Sequence, residues 1–138
     1  MADLSVVARP LIAGMFISGG LEAFRNPHTK VPRAEKVVGD SPVDTAVLIR
    51  VNGAVQVGAG AALAAGVAPR IMALVLAGSL VPTTLAGHRF WEESDPQARA
   101  QQRIQFLKNA AMLGGLVEIL ARGPRGRRRA APRRAPAR

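Results

Sequence analysis

The chain is predicted to be all-α, an antiparallel up-and-down bundle of four transmembrane helices. Three observations carry that expectation. Four stretches, residues 4–24, 46–67, 70–87 and 104–121, are apolar, and each is close to the roughly 20 residues a helix rising about 1.5 Å per residue needs to cross a bilayer. Polar, proline-bearing segments separate them. Four spans in 138 residues leave almost no chain for a soluble domain. A soluble bundle is the alternative, and the mean hydropathy of +0.15 superficially favours it. That average is diluted by loops and an arginine tail, whereas topology follows local windows. A soluble helix carries charge on one face at every turn, yet residues 51–68 hold no charge and only two amides, Asn52 and Gln56.

The first stretch contains Arg9 and Glu22 and is followed by no small-residue cleavage pattern. It is expected to be a retained span, not a cleaved signal. In the loop 25–45, Val31, Ala34, Val37 and Val38 share a helical face opposite Arg33 and Lys36. A short interfacial helix and a plain loop both remain open there. The second stretch repeats small residues at every fourth position, Ala54, Gly58, Ala62 and Gly66. Such a seam lets another helix approach closely, within the chain or in a homo-oligomer. Residues 67–70 form a tight turn, with Pro69 starting the third helix. Within that helix Pro82 frees the carbonyl of Gly78, and Thr83 and Thr84 are placed to satisfy it. His88 and Trp91 share a face if the helix persists past residue 87. Trp91 is otherwise an interfacial anchor. The loop 88–103 then leads to the fourth stretch.

The formal charge of +10 is not a nucleic-acid signal, because eight of the nineteen basic residues lie after Ala121. The domain is therefore read as residues 1–121, followed by a disordered Arg-rich tail, 122–138. No aromatic residue interleaves the tail arginines for base stacking, so lipid is the expected partner and nucleic acid is not. With both termini cytoplasmic, ten basic residues lie inside and seven outside. That bias orients the chain as a multi-pass protein of the cell membrane.

Cysteine is absent, which excludes disulfides, thiolate metal sites and thiol relay by this chain. Two histidines are too few for a haem or multi-histidine centre, so no metal is expected. The chemistry-bearing residues are polar groups inside the spans, which are costly in hydrocarbon. Each span has a pair at i and i+4: Ser18 with Glu22, Asn52 with Gln56, Ser79 with Thr83, and Gln105 with Asn109. Arg50, His88 and Lys108 join them. In an antiparallel bundle all fall at one end, the outer end in the orientation above. Two readings stand. In one they are structural glue, with Glu22 paired to Arg50 or Lys108. In the other they line a pocket for a small molecule, with Glu22, Arg50, Gln56, Thr83, His88, Trp91, Lys108 and Asn109 as ligand-binding residues; no catalytic residue is assigned.

The fourth stretch reads Gln105-Phe106-Leu107-Lys108-Asn109-Ala110-Ala111-Met112-Leu113-Gly114-Gly115-Leu116. With Arg9-Pro10-Leu11, Phe16, Gly19-Gly20, Pro82-Thr83-Thr84 and His88-Arg89-Phe90-Trp91, it resembles the DoxX family of small four-helix membrane proteins over about 8–120. The resemblance implies a four-helix bundle and a place in a membrane redox complex. Some members are subunits of a thiosulfate:quinone oxidoreductase, and others are partners of oxidative-stress enzymes. A DoxX-like membrane subunit is therefore expected, holding a quinone or similar lipophilic molecule, with no covalent cofactor and with redox proteins as partners. It is not expected to be an enzyme on its own. A non-catalytic scaffold or anchor for oxidoreductases is the alternative.

Overall fold

The computed structural model describes residues 5–122. Beyond Arg122, the expected tail lies outside the described residues. Among the described residues five helices run in order: α1 (Ser5–Arg25), α2 (Val31–Val38), α3 (Thr45–Ala64), α4 (Pro69–Gly87) and α5 (Pro96–Ala121). Short 3-10 turns at Pro27–Thr29 and Phe90–Glu92 precede α2 and α5. Four of these helices, all but α2, are long and apolar enough to cross a membrane. Large apolar side chains such as Leu11, Val51, Leu74 and Ile104 are exposed on their outer faces. Lipid, not water, is the solvent that makes such a surface stable. The chain is a multi-pass membrane protein.

Local chemistry sets the helix ends. Asp44 caps α3 by accepting hydrogen bonds from the Ala46 and Val47 amides at 2.7 and 3.3 Å. Asp95 caps α5 through the Ala98 amide at 2.7 Å, and Pro96 supplies the preset first residue. This start lies eight residues before the apolar stretch begins at Ile104, so half of the segment read as the loop 88–103 is helix. Hydropathy cannot see two polar first turns; the cap can.

At the other end of the bundle, α3 closes on Gly66, whose φ is +75°. The Val67 amide bonds to the Ala62 carbonyl and the Gly66 amide to that of Leu63. This is a Schellman closure, and it requires the left-handed residue that glycine supplies. Gly66 is thus a turn residue and not the last rung of a helical seam.

The packing is antiparallel throughout. Gln56 pairs with Ser79 and Asn52 with Thr83 across α3 and α4. Thr84 pairs with Asn109, and Arg70 with the Leu120 carbonyl, across α4 and α5. The tightest seam joins α1 to α3. A Cβ built on Gly53 would lie 2.5 Å from the Gly20 carbonyl oxygen and 2.9 Å from the Phe24 nitrogen. One built on Gly60 would lie 3.3 Å from the Ala13 carbonyl.

The α1–α3 seam is therefore carried by Gly53 and Gly60, seven residues apart on α3, and not by the ladder of Ala54, Gly58, Ala62 and Gly66. Ala54 and Gly58 are exposed, Ala62 is half-buried, and nothing lies within 4 Å of a Cβ at Gly58. The core between the four long helices comprises Phe16, Ala59, Leu63, Ala73, Leu76, Leu80 and Leu116.

Candidate ligand-binding site

The polar pairs of the spans converge at the end of the bundle that carries α2. There, Asn52, Gln56, Ser79 and Thr83 form one continuous network. Gln56 Nε2 donates to Ser79 Oγ at 2.9 Å, and Ser79 Oγ donates to Asn52 Oδ1 at 2.7 Å. Asn52 Nδ2 donates to Thr83 Oγ1 at 3.1 Å, and Thr83 Oγ1 donates back to the Ser79 carbonyl at 2.8 Å. A second pair ties α5 on: Asn109 Nδ2 donates to Thr84 Oγ1 at 3.0 Å, and Thr84 Oγ1 to the Leu80 carbonyl at 2.7 Å. The two threonine hydroxyls thus serve the carbonyls of Ser79 and Leu80, not that of Gly78 beneath Pro82. Gln56, Ser79, Thr84 and Asn109 are all buried. A satisfied polar network of this kind fixes helix rotation as well as helix proximity.

Beside this network lies a cavity of about 600 Å³, within the range of about 300–1,000 Å³ usual for small-molecule sites. Glu22, Gln56, Thr83, His88, Lys108 and Asn109 line it, against apolar walls from Phe16, Leu80 and Met112. Six of the eight residues singled out in the sequence are therefore brought to one cavity. Arg50 and Trp91 are not in its lining. Arg50 is exposed. Trp91 packs edge-on against Phe90 and Phe106, with ring centroids 5.2 and 6.0 Å away. His88 and Trp91 do not share a helical face, because α4 ends at Gly87 and the chain turns at Phe90–Glu92.

The charge pairings also differ from those expected. Glu22 meets neither Arg50 nor Lys108. It accepts from Asn26 at 3.1 Å and faces Lys30 at 3.6 Å, both partly exposed. The 3-10 turn at Pro27–Thr29 folds Lys30 back over the end of α1, which supplies the nearer cation. Lys108 donates to Gln105, one helical turn back. His88 Nδ1 lies 2.8 Å from Gln102 Oε1. Since that oxygen can only accept, Nδ1 is the donor in this contact.

Sequence reasoning missed the contribution of α2. Lys30, Arg33, Ala34, Val37 and Val38 lie along the mouth of the cavity. The helix is pinned there by Lys36, which donates to Glu92 at 3.1 Å, while Arg89 holds the other oxygen of Glu92 at 2.7 Å. The apolar face of Val31, Ala34, Val37 and Val38 was the available signal. What it packs on depends on loop geometry.

A bundle of four membrane-spanning helices with a polar cavity near one end defines a small integral membrane protein of the four-helix class. The family model described as DoxX matches residues 4–89, more than half of the chain. The chain belongs to the DoxX family. The matched range covers α1 to α4 and stops before α5, so the Phe106 to Gly115 segment lies outside it. No match was found among curated proteins or among solved structures.

Proposed function

We propose that the chain is the membrane subunit of a redox complex, holding a quinone or a similar lipophilic molecule in the polar cavity. The observation that carries this reading is a pair of buried amides with spare acceptors. Gln56 and Asn109 are 6 % and 7 % exposed and line the cavity. Each donates one hydrogen bond, yet neither side-chain oxygen accepts one among the described residues. Buried acceptors without donors are costly, and a ligand hydroxyl removes that cost. The residues fit a quinone: Lys108 is a donor for its oxygens, Gln56 and Asn109 accept from its reduced hydroxyls, and Phe16, Leu80 and Met112 offer apolar walls. When bound, such a group supplies the electron and proton acceptance that these side chains lack. His88, in the cavity lining, is the side chain for relaying a proton at that end of the cavity. The electron donor is a separate redox protein.

The chain is placed in the cell membrane with both termini cytoplasmic, so that the cavity faces the outer side. The family's association with oxidative-stress enzymes belongs to this reading. Ala54 and Gly58 face outward, and with the half-buried Ala62 they are the proposed surface for a homo-oligomer; Gly66, in the turn beside Arg9, is not part of it. A scaffold or anchor without a ligand is the second reading. It is favoured by the Asn52–Ser79–Thr83 network, whose hydrogen bonds are made within the protein. Organic extraction and mass spectrometry of the protein purified in native lipid separate the two. A stoichiometric quinone supports the first reading, and bulk phospholipid alone supports the second.

A further inference from the structure

The opposite end of the bundle, where α1 begins and α5 ends, holds a second cavity of about 800 Å³. It lies between α1, α4 and α5, and its composition differs from that of the first. Its walls are aliphatic, with Ile12, Ile71, Leu74 and Ile119 prominent, and its charged groups are Arg9, Arg70, Arg122 and Glu118.

Glu118 is already paired, accepting from Arg122 Nε at 3.0 Å. Arg70 uses Nε on the Leu120 carbonyl at 3.2 Å, which leaves its terminal nitrogens free of protein partners among the described residues. Arg9 has no ion-pair or hydrogen-bond partner among the described residues. It is half-buried, with Nη1 beside Gly66, so that a Cβ there would come within 3.2 Å of it. The glycine that closes α3 therefore also makes room for the guanidinium. The start of α4 adds positive potential, because Ala68 offers no side-chain cap to its first-turn amides.

Three arginines against one glutamate leave the lining with two uncompensated positive charges, directly beside an aliphatic groove. In water such charges are merely solvated. At the end of membrane-spanning helices they sit at headgroup depth, where guanidinium groups pair with phosphate oxygens in bidentate fashion. We infer that this cavity is a binding site for one anionic phospholipid, with its phosphate held by Arg9 and Arg70 and an acyl chain laid against Ile12, Ile71 and Leu74. Basic pockets between helices are the physical form such recognition takes. The site is independent of the polar cavity and of what that cavity holds.

The test uses the full chain in nanodiscs of equimolar phosphatidylglycerol and phosphatidylcholine with matched acyl chains, then native mass spectrometry after release into detergent. One retained phosphatidylglycerol per chain, in preference to phosphatidylcholine, is the expected result. Arg9→Gln with Arg70→Gln removes two charges and lowers that retention by about tenfold or more, while Arg50→Gln leaves it unchanged. Arg9→Lys with Arg70→Lys keeps the charge, folds like the parent and retains part of the preference, between that of the parent and that of the double Gln variant, because lysine supplies the charge without the bidentate fork. Equal retention of both lipids by the parent chain would overturn the inference without recourse to any variant. Unchanged retention in the double Gln variant would also overturn it, by assigning the lipid to arginines elsewhere. Displacement of the lipid by millimolar inorganic phosphate would show that the anion alone is recognised, and would overturn the assignment to a phospholipid.

Discussion

Replacing Gly53 by alanine adds one methyl group to α3, and the structure gives it no room. The new Cβ would stand 2.5 Å from the Gly20 carbonyl oxygen and 2.9 Å from the Phe24 amide nitrogen. Both are backbone atoms of α1, so relief requires the two helices to separate. Overpacking of a well-packed site costs about 1–3 kcal/mol, and rigid backbone neighbours put this case near the upper end. Gly58, five residues on in the same helix, has nothing within 4 Å. Gly58→Ala should therefore show only the gain in helix propensity, about 0.5–1 kcal/mol. That gain is common to both variants and cancels in their comparison, which leaves a difference of about 3 kcal/mol from the steric term. Reversible unfolding of the two variants in bicelles by sodium dodecyl sulfate titration measures it. Gly20→Ala should behave like Gly53→Ala, and the pair should be non-additive because both open one contact. Stabilities of Gly53→Ala and Gly58→Ala that agree within about 0.5 kcal/mol, the usual error of additivity, would refute the assigned seam.

The Glu22 and Lys108 side chains have separate partners, so a double-mutant cycle of Glu22→Gln and Lys108→Met should give no coupling. Glu22 with Lys30, an exposed pair, should couple by less than about 1 kcal/mol. Asn109→Leu removes the donor to Thr84 Oγ1 inside the core and should destabilise the bundle by about 1–3 kcal/mol, read in the same titration, with partial recovery on adding Thr84→Val. A membrane-impermeant thiol reagent on intact cells should label Ser94→Cys in this cysteine-free chain; labelling only after lysis would invert the proposed orientation.

The four spans were legible because hydrophobic length is a property of sequence windows, and Pro69 marked a helix start in plain residue chemistry. The convergence of Gln56, Thr83, Lys108 and Asn109 at one end was equally legible, since antiparallel connectivity alone brings those positions level. Helix rotation was not. Residues 53–62 of α3 include small side chains on every face, Gly53, Ala54, Gly58, Ala59, Gly60, Ala61 and Ala62. Spacing therefore offers several equivalent seams, and only the shape of α1 selects among them. The pairing of Glu22 failed for a related reason. The sequence shows which cations lie near in depth, but the 3-10 turn that carries Lys30 back over α1 is set by three residues of loop geometry. The early start of α5 is written in Asp95-Pro96, but the polar residues 96–103 that follow carry no hydropathy signal.

The long seams of the bundle are unequal. α1 is zipped to α3 backbone against backbone, whereas α1 and α5 meet closely at Gly115, where a Cβ would lie 2.8 Å from Ile12 Cδ1. Met15 and Gly19 of α1 and Lys108 and Met112 of α5 border the polar cavity on either side of that seam. If a ligand enters there, it arrives from within the leaflet and never crosses the loops. Occupancy would then follow its mole fraction in the bilayer and not its aqueous concentration. Diluting the protein into more lipid at a fixed total amount of ligand would lower that mole fraction and empty the cavity, and a tightly binding but membrane-impermeant analogue would leave it untouched.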